Sequence, residues 1–240
     1  MDLGIGLAVL GVIMAIVFWW IPKESIVGLF EKYSVKNYVN RLNLRTDFRI
    51  AIIDDEIDSY PIKYIKDLGF SIKEYETVSF ADSDILIKND LLLLDVKGVV
   101  NEDLDEGGAK LIKIIKESRP LLPIVAVSSG YFQTELNDYF KISDATLNKP
   151  IDEYRIREML NELKKEFFDV DCIANSIEDC IKKLELSPSK KNKLKKELIG
   201  YLSNKINKEC FNNFVHQLAR SSSQEIIDKS EILVDRINND

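Results

Sequence analysis

The residues of this chain that could carry out chemistry stand at the ends of short apolar runs. They are carboxylates, a hydroxyl and an amine, namely Asp54, Asp55, Glu56, Asp95, Ser128 and Lys149. Carboxylates brought close together repel one another unless a cation lies among them. Oxygen ligands with room for water suit Mg²⁺. The pattern therefore predicts a magnesium site if the apolar runs are neighbouring strands.

Asp95 is the candidate nucleophile of this set. With a cation in place, its carboxylate could attack a phosphoryl group, because the metal offsets charge on both partners. Lys149 would then pair with one phosphoryl oxygen, and Ser128 would donate a hydrogen bond to another. The charge added to Asp95 would draw Ser128 and its loop inward, which makes a switch.

Five short apolar runs alternate with amphipathic helical patterns, which indicates an α/β domain with a doubly wound parallel sheet over residues 48–169. Ligands bind beyond the carboxyl ends of the strands in such sheets, where the reactive residues stand here. Leu91–Leu94 shows no alternation, as expected for a strand covered by helices on both faces. The predicted strands are Ile50–Ile53, Ser71–Val78, Leu91–Leu94, Ile124–Val127 and Ala145–Leu147.

Residues 170–240 show helical spacing without strand patterns, which predicts a small all-α unit that packs against another part of the molecule. Ser187-Pro188-Ser189 marks one of its breaks. The lysines at positions 190, 191, 193, 195 and 196 are interpreted as a solvated face. His216 is the one histidine, and an ordinary surface role is preferred to phosphotransfer.

The start of the chain predicts a membrane anchor. Residues 3–21 carry no charge and end at Trp19 and Trp20, which favour the headgroup layer. About 19 helical residues nearly match a hydrocarbon core about 30 Å thick. A cleaved signal peptide is less favoured because no basic segment precedes the run and no cleavage site follows it. A buried core helix is the third and weaker interpretation, because residues 3–21 have no polar face.

The basic residues just after the run place the rest of the chain in the cytoplasm by the positive-inside rule. The prediction is a single-pass protein of the cell inner membrane with its N-terminus outside. Residues 22–47 would form a juxtamembrane linker or helix. Gly4 and Ala8 stand four apart in the span and permit close pairing with a second copy, which makes a homodimer an open possibility.

Composition excludes several classes of site. One histidine and three widely spaced cysteines leave neither a zinc signature nor a disulfide framework. A formal net charge of −7 argues against a nucleic-acid-binding protein.

Residues 48–169 resemble the receiver domain of bacterial response regulators. The acidic pair stands in IAIIDDE, the acceptor in LLLLDVKG, the hydroxyl in PIVAVSSG and the lysine in LNKP. The resemblance implies a flavodoxin-like sheet of strand order 2-1-3-4-5 and phosphorylation of Asp95 by a histidine kinase. It also implies Mg²⁺ binding by Asp54, Asp55 and Asp95, with the backbone carbonyl of Lys97 completing the site.

Two features depart from that family. Thr146 stands where the family often places an aromatic switch residue, and the loop between Asp95 and Gly107 is longer than usual and acidic. The function that the resemblance implies is signalling by a membrane-anchored protein through its helical tail or dimerisation. Apart from self-catalysed phosphoryl transfer to Asp95, no enzymatic activity is expected.

Two alternatives remain open at this stage. The first is a membrane scaffold or adaptor that uses the receiver fold without phosphorylation. The second and more distant one is a phosphatase, because Asp95-Val-Lys-Gly-Val resembles the nucleophile motif of haloacid-dehalogenase-like enzymes. Those enzymes place a second aspartate where Lys97 stands.

Overall fold

The computed structural model describes residues 33–129, 141–219 and 222–240. At its centre is a parallel five-stranded sheet whose strand order is β2-β1-β3-β4-β5. This is the flavodoxin-like, doubly wound sheet that the sequence predicts, and the fold prediction is confirmed. The strands are β1 Arg49–Ile53, β2 Ser71–Tyr75, β3 Leu91–Asp95, β4 Ile124–Ser128 and β5 Ala145–Asn148.

The described residues form nine α-helices, which divide between the two faces of the sheet and a separate helical unit. They are α1 Val35–Arg41, α2 Ile62–Asp67, α3 Ser83–Leu86, α4 Gly107–Ser118, α5 Glu153–Phe167, α6 Val170–Lys183, α7 Pro188–Leu202, α8 Lys208–Ala219 and α9 Ser223–Asn238. Two short 3-10 turns, Ile57–Ser59 and Phe80–Asp82, follow β1 and β2.

The central strand β3 is apolar throughout because its two faces supply two different cores. Leu92 and Leu94 pack with Ile112 of α4 on one side of the sheet. Leu91 and Leu93 pack on the other side in the cluster that contains residues of α5. All four leucines are buried, so a polar residue on either face would lie in a core.

The helical unit is built from two separate parts of the chain. Val35 and Val39, one turn apart on α1, lie in the same core as Ile173 and Ile177 of α6. The α/β domain is thus inserted between α1 and the other helices of this unit. The sequence placed residues 22–47 in a linker or juxtamembrane helix; within the described part of this range, α1 packs in the core of the helical unit.

The start of α1 is held by a partly buried carboxylate of α6. Glu178 Oε1 accepts hydrogen bonds from the Ser34 hydroxyl at 2.9 Å and from the Val35 amide at 2.8 Å. Lys195 of α7 lies behind Glu178, with 3.7 Å between Nζ and Oε2, and its side chain is 1% exposed. The interpretation of Lys195 as part of a solvated face is therefore wrong, because it faces Glu178 inside the unit.

The helical unit contacts the α/β domain at the edge of the sheet where the strands begin. The guanidinium of Arg236 stacks over the ring of Phe168, 4.2 Å from its centroid, and donates to the Arg45 carbonyl at 2.6 Å. Arg45 in turn pairs with Asp90, which directly precedes β3 and is almost fully buried. Asp240 accepts from Arg236 Nη1 at 2.7 Å and from the Arg45 amide at 2.9 Å.

A second ion pair joins the same two bodies. Arg119, after α4, pairs with Asp235 of α9 at 2.9 Å and donates to the carbonyls of Ile87 and Asn89. The prediction that the helical unit packs against another part of the molecule agrees with these contacts. The domain boundaries given from the sequence stay predictions.

In the part of the chain that the structure describes, no helix is both long and apolar enough to cross a membrane. The predicted span at residues 3–21 lies outside the described residues.

Candidate functional site

Three carboxylates converge where β1 and β3 end. The pairing of Ile53 with Leu94 sets these strands in register, so that Asp54 and Asp95 emerge at the same edge. One carboxylate oxygen from each of Asp54, Asp55 and Asp95 lies within 4.8 Å of the others. Asp54 and Asp95 are buried and Asp55 is exposed. Because the donors are all oxygens and one side is open to water, this set fits Mg²⁺.

Lys149 lies between the carboxylates. Its Nζ donates to Asp54 Oδ1 at 2.6 Å and to Asp95 Oδ2 at 2.5 Å, and it lies 3.1 Å from Glu56 Oε2. Burial alone lowers the pKa of Lys149, but the hydrogen bonds to Asp54 and Asp95 outweigh it and raise the pKa above its ordinary value. The ammonium therefore remains charged and offsets the repulsion between the two buried carboxylates.

Asp95 keeps a partner on each oxygen. Its Oδ2 accepts from Lys149, and its Oδ1 accepts from the Lys97 amide at 3.1 Å. The pKa of Asp95 is raised, first because the carboxyl is buried and further because Asp54 is close, while Lys149 and the Lys97 amide oppose the rise. More positive charge at this position would stabilise the ionised form.

Asp54 is fully enclosed and has three hydrogen-bond donors. The Glu56 amide donates to Oδ1 at 2.8 Å alongside Lys149, and the Tyr60 hydroxyl donates to Oδ2 at 2.7 Å. The sequence did not single out Tyr60. Its spacing from Asp54 matches no recurring motif, and the contact depends on the 3-10 turn at Ile57–Ser59.

Two glycines allow the backbone to come close to the site. Gly98 has a φ of +77°, and a Cβ there would lie 2.9 Å from Asp55 Oδ2. A Cβ on Gly108 would lie 2.1 Å from the Asp95 carbonyl oxygen, so the first turn of α4 packs directly on the end of β3. Side chains at either position would displace a site carboxylate or its backbone.

The remaining predicted residues lie at the same edge of the sheet. Ser128 ends β4, pairs in register with Asn148, and accepts the Lys149 amide at its carbonyl at 3.0 Å. Lys97 is exposed, and its backbone amide donates a hydrogen bond to Asp95 Oδ1. Coordination by the Lys97 carbonyl and a hydrogen bond from Ser128 to phosphate stay predictions.

The acidic loop after β3 is organised by local contacts. Asp103 accepts from the amides of Asp105 and Glu106 and pairs with Lys110 at 2.6 Å. Glu102 accepts a hydrogen bond from the Ser79 hydroxyl. These carboxylates thus stabilise the loop and the start of α4, as a solvated charge run would.

His216 lies away from this edge, in the helical unit. Its ring is exposed, and Nδ1 lies 3.0 Å from the Ser223 hydroxyl. This local contact agrees with the ordinary role preferred from the sequence.

Comparisons with known proteins give structural neighbours but no family. No family model and no curated protein matches the chain. A CheY-like response regulator receiver domain protein from Methanospirillum hungatei matches with 25% identity and a TM-score of 0.40, over 50% of this chain and 99% of that chain. A two-component response regulator from Clostridium difficile matches with 19% identity and a TM-score of 0.42, over 51% and 100%.

A longer alignment is found with NtrX from Brucella abortus, solved with ADP. It covers 72% of this chain and 40% of that chain, with 17% identity and a TM-score of 0.42. The assignment of the fold rests on the parallel order of the five strands, which does not depend on these matches.

Proposed function

We propose that this protein is a response-regulator-like signalling protein that is phosphorylated on Asp95 in a Mg²⁺-dependent manner. The observation that supports this most is the group of Asp54, Asp55 and Asp95 around the buried ammonium of Lys149. A nucleophilic carboxylate, a cation site and a positive charge beside the acceptor are the components that transfer of a phosphoryl group to a carboxylate needs.

The side chains divide the reaction between them. Asp54, Asp55 and Asp95, with the Lys97 carbonyl, would hold Mg²⁺, which supplies positive charge against the approaching phosphate. One Asp95 oxygen forms a bond to phosphorus while the bond from phosphorus to the donor, such as the imidazole nitrogen of a histidine kinase, breaks. Lys149 moves from the Asp95 carboxylate to a phosphoryl oxygen, and the Ser128 hydroxyl donates to another.

The output would pass through α5. Lys149 and Pro150 lead directly into this helix, whose first turn is capped by Asp152. Its other end meets the N-terminus of α6, where Asp169 accepts the Cys172 amide at 3.0 Å. A displacement of Lys149 towards a phosphoryl group therefore acts on a rigid element that ends in the helical unit.

The partners and location follow from the sequence. We include in the proposal a histidine kinase or similar phosphodonor and a single N-terminal span in the inner membrane, with both described bodies in the cytoplasm. A homodimer is part of the proposal only through pairing of that span, and no nucleic acid is expected.

Beryllofluoride and acetyl phosphate test the central step. In Mg²⁺, the full chain should gain the mass of one phosphoryl group from acetyl phosphate, and beryllofluoride should shift the backbone amide resonances of Asp95 and its neighbours. Asp95→Asn should abolish both responses, while Asp105→Asn, in the exposed loop, should abolish neither. No mass gain and no shift of these resonances in the wild-type chain would refute the proposal.

A phosphorylation-independent scaffold is the second candidate, and the position of Lys149 favours it. The bridge from Lys149 to Asp54 and Asp95 offsets one of the two negative charges of the buried carboxylates, which gives the lysine a structural role of its own. If the fold serves only to bind a partner, Asp95→Asn and Lys149→Ala should leave partner binding intact. Removal of residues 170–240 should then abolish it.

A further inference from the structure

Tyr60 is a buried polar residue that the proposed reaction does not use. It follows the 3-10 turn Ile57–Ser59, and only 5% of its surface is exposed. Its ring lies in the core on the α5 side of the sheet, and its hydroxyl donates to Asp54 Oδ2 at 2.7 Å. A phenol buried in this way fixes the direction of the carboxylate it binds.

The two oxygens of Asp54 have different surroundings. Oδ1 shares the Lys149 ammonium with Asp95 Oδ2, so these two oxygens face the same cation position. Oδ2 is turned to Tyr60. When Lys149 leaves Asp54 for a phosphoryl oxygen, the Glu56 amide and the Tyr60 hydroxyl remain as donors to the carboxylate.

We propose that Tyr60 is a positioning residue of the cation site, whose hydroxyl holds Asp54 so that Oδ1 is presented to Mg²⁺. This inference rests on the proposed function, because it assumes that the three carboxylates bind the metal. Tyr60 does not touch the reacting atoms and acts through Asp54.

Local structure keeps the Tyr60 hydroxyl in place and protonated. The Tyr60 amide donates to the Ile57 carbonyl at 3.1 Å, and the Ser59 carbonyl accepts from the Ile151 amide at 3.4 Å. This second bond ties the turn to the segment that carries Lys149. Burial, followed by the nearby Asp54, raises the pKa of Tyr60 well above its ordinary value, so the phenol stays a donor at physiological pH.

The test measures cation binding itself. Mg²⁺ is titrated calorimetrically into the full chain, the Tyr60→Phe variant and the control Tyr64→Phe, which changes a neighbouring tyrosine on α2. Loss of an outer-shell partner weakens metal binding by about 10-fold to 100-fold. For Tyr60→Phe we expect the Kd for Mg²⁺ to rise by about 10-fold to 100-fold, with a stoichiometry of one ion per chain. For Tyr64→Phe we expect no change in Kd.

Phosphorylation by acetyl phosphate gives a second readout. For Tyr60→Phe, the Mg²⁺ concentration at half-maximal rate should rise by the same factor, while the rate at saturating Mg²⁺ should match the wild type. A merely structural role would lower the saturated rate or the melting temperature without this split. An unchanged Kd in a folded Tyr60→Phe variant would overturn the inference.

A measurement on the wild type covers the case in which Tyr60→Phe does not fold. The Tyr60 hydroxyl proton, assigned through its contacts to the ring, should give a slowly exchanging nuclear magnetic resonance signal. This signal should persist when Mg²⁺ is saturating, and its loss would overturn the inference. If the wild-type chain binds no Mg²⁺ at all, the proposed function fails together with the inference. If the wild type binds Mg²⁺ and Tyr60→Phe binds it equally well, only the inference fails.

Discussion

Replacing Lys149 by methionine offers the sharpest test of the electrostatics of the site. The substitution keeps much of the side-chain volume and removes the ammonium that bridges Asp54 and Asp95. Lys149 is 5% exposed and Asp54 is 0% exposed at the side chain, so water screens the charge of this pair only weakly. Removing one partner of a buried ion pair costs about 3–5 kcal/mol. We therefore expect Lys149→Met to lower the free energy of unfolding by about 3–5 kcal/mol in metal-free buffer at neutral pH.

The assay is thermal unfolding followed by circular dichroism, with and without Mg²⁺. For a chain of this size, each kcal/mol lowers Tm by roughly 2–4 °C. Mg²⁺ should restore more stability to Lys149→Met than it adds to the wild type, because the dication supplies the missing charge. The control Lys66→Met removes a pair with Glu74 that is 50% and 36% exposed, and it should cost at most about 1 kcal/mol.

The pH dependence supplies an independent check. Burial raises the pKa of Asp95 above its ordinary 3.8, and the bond to Lys149 opposes that rise. Without Lys149, the pKa of Asp95 in the folded state moves further above its unfolded value. The stability lost through this shift is absent below about pH 3.8, grows as the pH rises, and is complete above the folded-state pKa. The gap between variant and wild type should therefore narrow towards about pH 4. A variant as stable as the wild type at neutral pH without Mg²⁺, or a gap independent of pH, would refute this reasoning.

Three further predictions concern how the site and the two bodies are held. Gly108→Ala should lower the free energy of unfolding by about 1–3 kcal/mol in urea titrations, because the new Cβ meets the Asp95 backbone at 2.1 Å. A double-mutant cycle on Arg119→Ala and Asp235→Ala should give a coupling of about 0.5–3 kcal/mol, and a zero coupling would mean that the pair does not join the bodies. Glu178→Ala should expose α1 to limited proteolysis, since the Val35 and Lys36 amides lose their acceptor and Lys195 loses a carboxylate neighbour, at about 1–3 kcal/mol for each group left unsatisfied; unchanged cleavage would contradict the anchoring of α1.

The parts of the fold that were predicted correctly are those where local pattern and tertiary environment agree. Leu91–Leu94 is apolar without alternation because its side chains pack in the cores on both faces of the sheet. Such a run can be recognised from the sequence alone. The site carboxylates were also predictable as a group. Parallel strands end at one edge, so a residue placed directly after β1 or β3 has its location fixed by the sheet.

The features that were missed depend on contacts between distant parts of the chain. Lys195 reads as one of several surface lysines, yet it is buried because Glu178 of a neighbouring helix faces it. The short helix α1 carries two valines one turn apart. Nothing in that spacing reveals that they pack against helices that follow the whole α/β domain in the chain. Tyr60 likewise bonds Asp54 through a turn whose geometry the sequence pattern does not specify.

The position of the helical unit decides which kind of output the site can have. The carboxylates lie where the strands end, whereas Arg45, Asp90 and Arg236 join the helical unit to the edge where the strands begin. The core of the helical unit also contains α1, which precedes the α/β domain in the chain, whereas its other helices follow that domain. A change at Asp95 therefore has no direct contact with this interface. It can reach the helical unit along α5, or along α4, which packs on Asp95 at Gly108 and is followed by Arg119, the partner of Asp235. We expect phosphorylation to shift the helical unit as a body, since detaching it from the α/β domain would break the stacking of Arg236 on Phe168 and the Arg119–Asp235 pair.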